Sequence, residues 1–188
     1  MEEYFKNKYR VNTIRLQDWD YSWAGFYYIT ICTKDRINNL AEIQDGQVSL
    51  SEIGRIVFKC WLEIPEHFDN VKLDDCIIMP NHLHGIIVIL EQKDNDFGLK
   101  NRRDTTCHVS TGGKFGYMRT KSLSSIIHAF KSSVKRCCNQ NDLAFQWQSR
   151  FYEHIIRNHE DYARIKKYIA NNPINWEIDR NNPINIKK

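Results

Sequence analysis

Two histidines one residue apart, His82-Leu83-His84, are the sharpest chemical feature of this chain, and they open an apolar run that continues from Ile86 to Leu90. On a strand, residues two apart share a face, so both imidazoles project side by side while Leu83 turns to the opposite side. Neutral imidazole nitrogens are good ligands for a divalent cation. The competing reading is a pair of strand histidines, which would need hydrogen-bond partners if buried. Tyr168 is the second feature. It sits in Lys166-Lys167-Tyr168-Ile169, beside a helical stripe of Tyr162, Ile165 and Ile169 that already fills the core positions. Its phenol can face a cleft, or pack as most tyrosines do. Asn172 lies four residues on, near the same helical face. It also precedes Pro173, which disfavours helical geometry there. The third feature is a group of cations with aromatics: Trp147, Arg150, Phe151, Tyr152, His154 and Arg157, with Lys131, Lys135 and Arg136 on a helix before them. Arginines bind phosphates and aromatic faces stack unpaired bases. A solvated edge strand explains the same pattern equally well.

The elements that must position these residues follow from periodicity. Phe26 to Thr33 is rich in β-branched and aromatic residues and predicts a first strand. Two short strands follow at 39–43 and 47–50, with Asp45-Gly46 as a hairpin turn. Ser49-x-x-Glu52 has the form of a capping box. Ile53, Val57, Cys60, Trp61 and Ile64 then recur at helical spacing, and Pro65 is expected to close that helix. Segments 72–79 and 82–90 predict two more strands about the turn Pro80-Asn81, their Ile and Val content placing them centrally. Residues 91–121 are polar, then basic, with Gly112-Gly113, and are expected to form a long basic insertion loop. Ser122 can cap a helix with Leu123, Ile126, Ile127, Phe130, Val134 and Cys137 as its stripe. Another strand falls within 145–156. Asn158 can cap a last helix that Pro173 ends. The phrase Asn-Asn-Pro-Ile-Asn occurs at 171–175 and again at 181–185, and reads as two turns of similar chemistry. The order is that of an α+β sandwich of ferredoxin-like type: an antiparallel sheet with helices packed on one face.

Composition sets the bounds. A chain of 188 residues suits one domain, here 1–188, with an arm over 1–24, an insertion over 91–121 and a tail over 174–188. Hydrophobic residues at 41% suffice for a core, and a formal charge of +4 is compatible with a nucleic-acid partner without demanding one. No apolar stretch has the length of a signal peptide or a membrane span, so a soluble cytoplasmic protein is expected, with no membrane partner. Six cysteines occur without a C-x-x-C pair, which points to reduced thiols.

Taken together, the blocks resemble a known family. Met79-Pro80-Asn81-His82-Leu83-His84 resembles the signature of the single-tyrosine HUH transposases. Trp147-Gln148-Ser149-Arg150-Phe151-Tyr152-Glu153-His154-Ile155-Ile156-Arg157 resembles the W-Q-x-R-F-x-x-H-x-I-R block of their REP-associated branch. Tyr168-Ile169-Ala170-Asn171-Asn172-Pro173 resembles that branch's Y-I-x-x-N-P block. The three stand in the family's order between residues 79 and 176. The insertion and the C-terminal tail carry no such motif.

The resemblance implies a ferredoxin-like fold with the histidine pair on a central strand. It implies Tyr168 as nucleophile and His82 and His84 as ligands of Mg²⁺ or Mn²⁺. Asn172 is implied as a third ligand, where related transposases often carry glutamine; an amide oxygen suits a hard cation. It also implies single-stranded or hairpin DNA as partner, with Lys131, Lys135, Arg136, Trp147, Arg150 and Arg157 as candidates to contact it. The expected activity is metal-dependent cleavage and rejoining through a 5′-phosphotyrosine. Two rivals stand beside this: a catalytically silent hairpin-binding module of the same fold, and a metal hydrolase of small molecules. The latter needs further ligands, and His108, His128, His154 and His159 sit in no ligand spacing. Monomer and homodimer both remain open at this point, as does whether a tyrosine serves its own chain's histidines.

Overall fold

The computed structural model of the chain describes residues 19–91 and 121–185. Most of the expected arm, nearly all of the expected insertion and the last three residues lie outside these. Strand β1 spans Gly25–Cys32, β2 Ala41–Gln44, β3 Gln47–Leu50, β4 Val71–Ile78, β5 His82–Ile89 and β6 Tyr152–Ile156. Helix α1 spans Glu52–Leu62, α2 Ile64–His67, α3 Leu123–Gln140 and α4 His159–Asn171. The main sheet has the order β4-β5-β1-β6 and its pairs are antiparallel. The strand carrying the histidines is therefore an inner one, and β6 is an edge.

Alternation along β1 and β5 divides the interior in two. Tyr27, Ile29 and Ile31 with Leu83, Ile87 and Ile89 face the larger core, which α1 and α3 cover through Val57, Trp61, Ile126 and Phe130. Tyr28 and Ile86 face the other way and meet Ile156, Ile165 and Ile169 in a smaller core beneath α4. Helices α1 and α3 thus share one face, as a ferredoxin-like arrangement requires, while α4 lies across the opposite one. The second cover has a plain cause. Strand β5 is apolar on both sides, and an apolar face must be buried against something.

Two local expectations are corrected. Helix α1 is capped by Ser51, whose hydroxyl accepts from the Gly54 amide at 3.0 Å, while Ser49 belongs to β3. Ser49 instead pairs with Glu42 across the hairpin, which takes it out of the cap position. Pro65 does not close the helix run either. It stands in the first turn of α2, where its missing N–H costs nothing. Ser122 and Asn158 cap α3 and α4 as expected, accepting from Ser125 N and Asp161 N. The β2–β3 hairpin turns at Asp45 and Gly46, both at positive φ, the geometry of a two-residue turn that matches strand twist.

The register of β4 shifts between Leu73 and Cys76. Such a bulge re-aims side chains, and here Asp74 and Asp75 reach α4. The Tyr162 hydroxyl donates to Asp74 Oδ2 in a short hydrogen bond, and Lys166 Nζ lies 3.1 Å from Asp74 and 3.2 Å from Asp75. These contacts latch the tyrosine-bearing helix to its own sheet. Among the described residues, no helix is long and apolar enough to cross a membrane.

Candidate active site at the histidine pair

His82 and His84 project from β5 toward α4, and both are fully buried. Their Nε2 atoms face each other at 2.9 Å. Two nitrogens so close share one proton or one common ligand, since two lone pairs would repel. The ring orientations are fixed from behind. Asn81 Nδ2 donates to the backbone oxygens of Arg36 at 3.2 Å and Asn181 at 2.9 Å. Its Oδ1 is thereby aimed at His82 Nδ1, 2.8 Å away, and accepts the proton there. That tautomer leaves the His82 Nε2 lone pair facing the site. His84 Nδ1 lies 2.8 Å from the hydroxyls of both Tyr28 and Thr30. Thr30 stands opposite His84 in the β1–β5 ladder, which is why it reaches. Partners of this kind set the tautomer of a ligating histidine.

The electrostatics favour neutral rings. Burial, then the charges of Arg36 and Arg180, push His82 down to about 3. Burial, then His82 and Arg180, hold His84 well below its ordinary value. Neutral imidazole is the form that binds a metal. The carboxylate of Asp179 completes the group: its oxygen and the two histidine nitrogens lie within 4.8 Å of one another. The fit to a divalent cation therefore rests on two aimed nitrogens and a hard oxygen.

Tyr168 comes to this place from α4. Its ring centroid is 5.2 Å from that of His84 and 6.3 Å from that of Tyr28. It is 41% exposed and lines a cleft. Burial raises its pKa, and Asp179 adds to this, whereas hydrogen bonds with Asn172 and Tyr28 and the charge of Arg180 pull it down. Burial drives the Tyr28 phenol well above its ordinary value, so Tyr28 stays a neutral partner. Asn172 is buried, and its Oδ1 has no hydrogen-bond partner. A buried orphan oxygen is costly unless something charged or donating meets it. Tyr168, Asn172, Asp179 and Arg180 line a cleft of about 720 Å³ with Tyr28 and Tyr152.

The structure thus gathers His82, His84, Tyr168 and Asn172, all singled out in the sequence. The basic and aromatic candidates lie elsewhere. Lys131 Nζ donates to the backbone oxygens of Gln148 and Arg150, and Lys135 Nζ to that of Phe145. Both lysines hold the segment that leads into β6. Trp147 packs against Phe145 and Phe130 at 4.7 and 5.9 Å between ring centroids, partly buried at the margin of the core. Arg136, Arg150 and Arg157 are on the surface. Sequence reasoning missed Asp179, Arg180, Tyr28, Thr30 and the role of Asn81. Alternation along β1 places Tyr28 and Thr30 on the histidine side, but no spacing flags Asp179 or Arg180. The repeated Asn-Asn-Pro-Ile-Asn phrase does form two turns. The first contributes Asn172, and the second brings Asn181 to Asn81 and to Arg36, whose Nη1 donates to Asn181 Oδ1 at 2.5 Å.

An inner strand bearing an inward histidine pair, faced by a helix bearing a tyrosine, is the arrangement that the resemblance to single-tyrosine HUH transposases implied. The comparisons with known proteins agree. An uncharacterised protein of Haemophilus influenzae is 39% identical over 169 residues, covering 89% of this chain and 91% of the relative. A second protein of that organism, described as a REP-associated tyrosine transposase, is 23% identical over 162 residues, covering 82% of this chain and 73% of its own. Among solved structures, a REP-associated tyrosine transposase bound to a REP hairpin shares the fold with a TM-score of 0.56 and 21% identity, over 88% of this chain and 74% of that one. No family model matches the chain. The chain thus shares the fold of a REP-associated tyrosine transposase, and its sequence is similar to a protein described as one.

Proposed function

We propose that this protein is a metal-dependent single-stranded DNA endonuclease and strand transferase that acts on hairpin DNA through a covalent tyrosine intermediate. The observation that carries the reading is the placement of Tyr168 beside His84, whose Nε2 is aimed with that of His82 at a common point. The solved relative with this fold binds a REP hairpin, which supports a structured single strand as the substrate here. One chain brings together the tyrosine, both histidines, Asn172 and Asp179, which supports a tyrosine that serves its own chain's histidines. The whole chain is read as one transposase domain working in the cytoplasm.

His82 and His84 would hold a Mg²⁺ or Mn²⁺ ion with the Asp179 carboxylate, and the orphan Asn172 Oδ1 is the further oxygen donor available at the cleft. A bound ion would neutralise the scissile phosphate and orient it for in-line attack. The chain's own residues do the rest. Tyr168 loses its proton to solvent through its exposed edge, and its Oη attacks phosphorus. The new Oη–P bond forms as the P–O3′ bond breaks, and the departing 3′-oxygen takes up a proton. The 5′-phosphate then stays on Tyr168. An incoming 3′-hydroxyl reverses these steps: it gives up its proton, bonds to phosphorus and releases the phenol, with no external energy source. Arg180, which lowers the Tyr168 pKa by its charge, is placed to offset phosphate charge in the same cleft. Arg136, Arg150 and Arg157 are the exposed cations left for the DNA backbone, with Lys131 and Lys135 supporting the segment that carries Arg150.

The test uses the purified full chain and a labelled single-stranded hairpin oligonucleotide from repeats flanking its gene. A Mn²⁺-dependent band that survives denaturant, disappears in EDTA and is absent in Tyr168→Phe is expected. Hairpin binding with no adduct under any divalent metal would replace this reading with that of a binding module.

A further inference from the structure

Three depressions run in series along β6, an edge strand of the sheet. The catalytic cleft shares Tyr152, His154 and Arg164 with a second one of about 690 Å³. The second shares Arg157 and Asn158 with a third of about 370 Å³, which is walled by Phe26, Ile156, His159 and Tyr162. We infer that the third depression, between Phe26, Tyr162 and Arg157, is a subsite for one nucleobase of the strand that leaves the catalytic cleft, an inference that rests on the DNA-cleaving reading above.

The wall chemistry is what selects this occupant. Phe26 is 41% exposed, so part of its ring is open at this depression. Its centroid lies 5.6 Å from that of Tyr162, with the ring planes at 74°. Two aromatics so disposed form a corner in which a flat base can stack on one ring and meet the edge of the other. Stacking of this kind is the usual grip on unpaired bases, since every base has a π-face. The corner is rigid before anything binds. Tyr162 is anchored at its hydroxyl by Asp74, and Asp74 is held in turn by Lys166. A ring fixed in advance loses little entropy when it is stacked upon.

Charge and distance agree with a nucleotide. Arg157 is exposed and makes no ion pair among the described residues, so its guanidinium is open to a phosphate. Asn158 spends its Oδ1 on capping α4, which leaves the amide nitrogen to donate to a base edge. A depression of about 370 Å³ takes a base but not a duplex stem. Tyr162 and Tyr168 are six residues apart on one helix, roughly 9 Å along its axis. At roughly 3.4 Å per nucleotide for a stacked strand, the subsite falls within about three nucleotides of the attacked phosphate.

The test is photo-crosslinking with the full chain in EDTA, so that the strand stays whole. The probe is the gene-flanking hairpin with single-stranded arms, carrying 5-iododeoxyuridine at one arm position at a time. A crosslink on the Phe26 or Tyr162 peptide from one or two positions near the cleavage site is expected. Phe26→Ala should abolish that crosslink and weaken binding of the armed hairpin roughly 5- to 100-fold, with Phe26→Trp retaining both. Because Phe26→Ala can disturb folding, Arg157→Ala is measured in parallel and should weaken binding with an unchanged melting temperature. Bound probe whose crosslinks all map elsewhere, with both variants binding as the parent does, overturns the subsite and spares the proposed function. Failure of the parent chain to bind the armed hairpin at all overturns both.

Discussion

Gly85 follows His84 in β5, and replacing it should show how tightly the histidine-bearing strand is held by the core behind it. A Cβ built on Gly85 would come within 2.5 Å of Trp61 Cζ2 and 2.8 Å of Trp61 Cη2. That falls about 1 Å short of a comfortable carbon–carbon contact. Trp61 cannot simply withdraw, being fully buried and set edge-on against Phe130 at 5.6 Å. Gly85→Ala therefore overpacks the core and should cost ~1–3 kcal/mol. For a domain of this size each kcal/mol moves the melting temperature by ~2–4 °C, so a fall of several degrees is expected. Trp61→Phe removes the ring that clashes. It also removes an indole nitrogen that is buried without a partner, which softens its own cost. The double variant should then be more stable than the sum of the two losses, with a coupling of at least ~1 kcal/mol. Circular dichroism melts of the parent, both single variants and the double variant give the number. Strictly additive losses, or a Gly85→Ala variant that melts with the parent, would refute the packing argument.

Other expectations follow from the same geometry. Asn81→Ala removes the acceptor that sets the His82 tautomer and should weaken Mn²⁺ binding by roughly 10- to 100-fold while His82 and His84 remain, as a calorimetric titration can read. Asp179→Ala and Asn172→Ala, titrated alike, rank the two oxygen donors; the larger loss identifies the stronger ligand, and no loss in either would leave the histidines as the whole site. Asp74→Ala frees Tyr162 and Lys166 together, both of them solvated, and should lower the melting temperature only slightly. In that variant the adduct should also form more slowly at saturating DNA, and rescue by Asp74→Glu would separate positioning of α4 from general damage.

Much of the architecture was legible in the sequence because it depends on local rules. Alternation along 26–33 and 82–90, the caps at Ser122 and Asn158, and the Asp45-Gly46 turn each answer to neighbours a few residues away. So does the His82–His84 pair, since a two-residue period is intrinsic to a strand. Where tertiary context intervened, local signals misled: Ser49 had the form of a cap and Pro65 that of a helix end, yet Ser51 caps α1 and Pro65 begins α2. Pairing across β2–β3 and the start of α2 account for both.

The chemistry of the site divides along the same line. Sequence by itself determined which groups are present: two imidazoles sharing one strand face, a tyrosine off a helix's apolar stripe and an asparagine one turn later. Only the tertiary structure decided that α4 crosses the face opposite α1 and α3, which puts Tyr168 beside His84. It also brought in Asp179 and Arg180 from a turn about 95 residues further along the chain, and sent Trp147 inward against Phe130 and Phe145. The physical reason is that these juxtapositions carry no period. They are fixed by which apolar faces must be covered and by side-chain contacts such as Asn81 to Asn181, between residues whose separation in sequence says nothing of their distance in space.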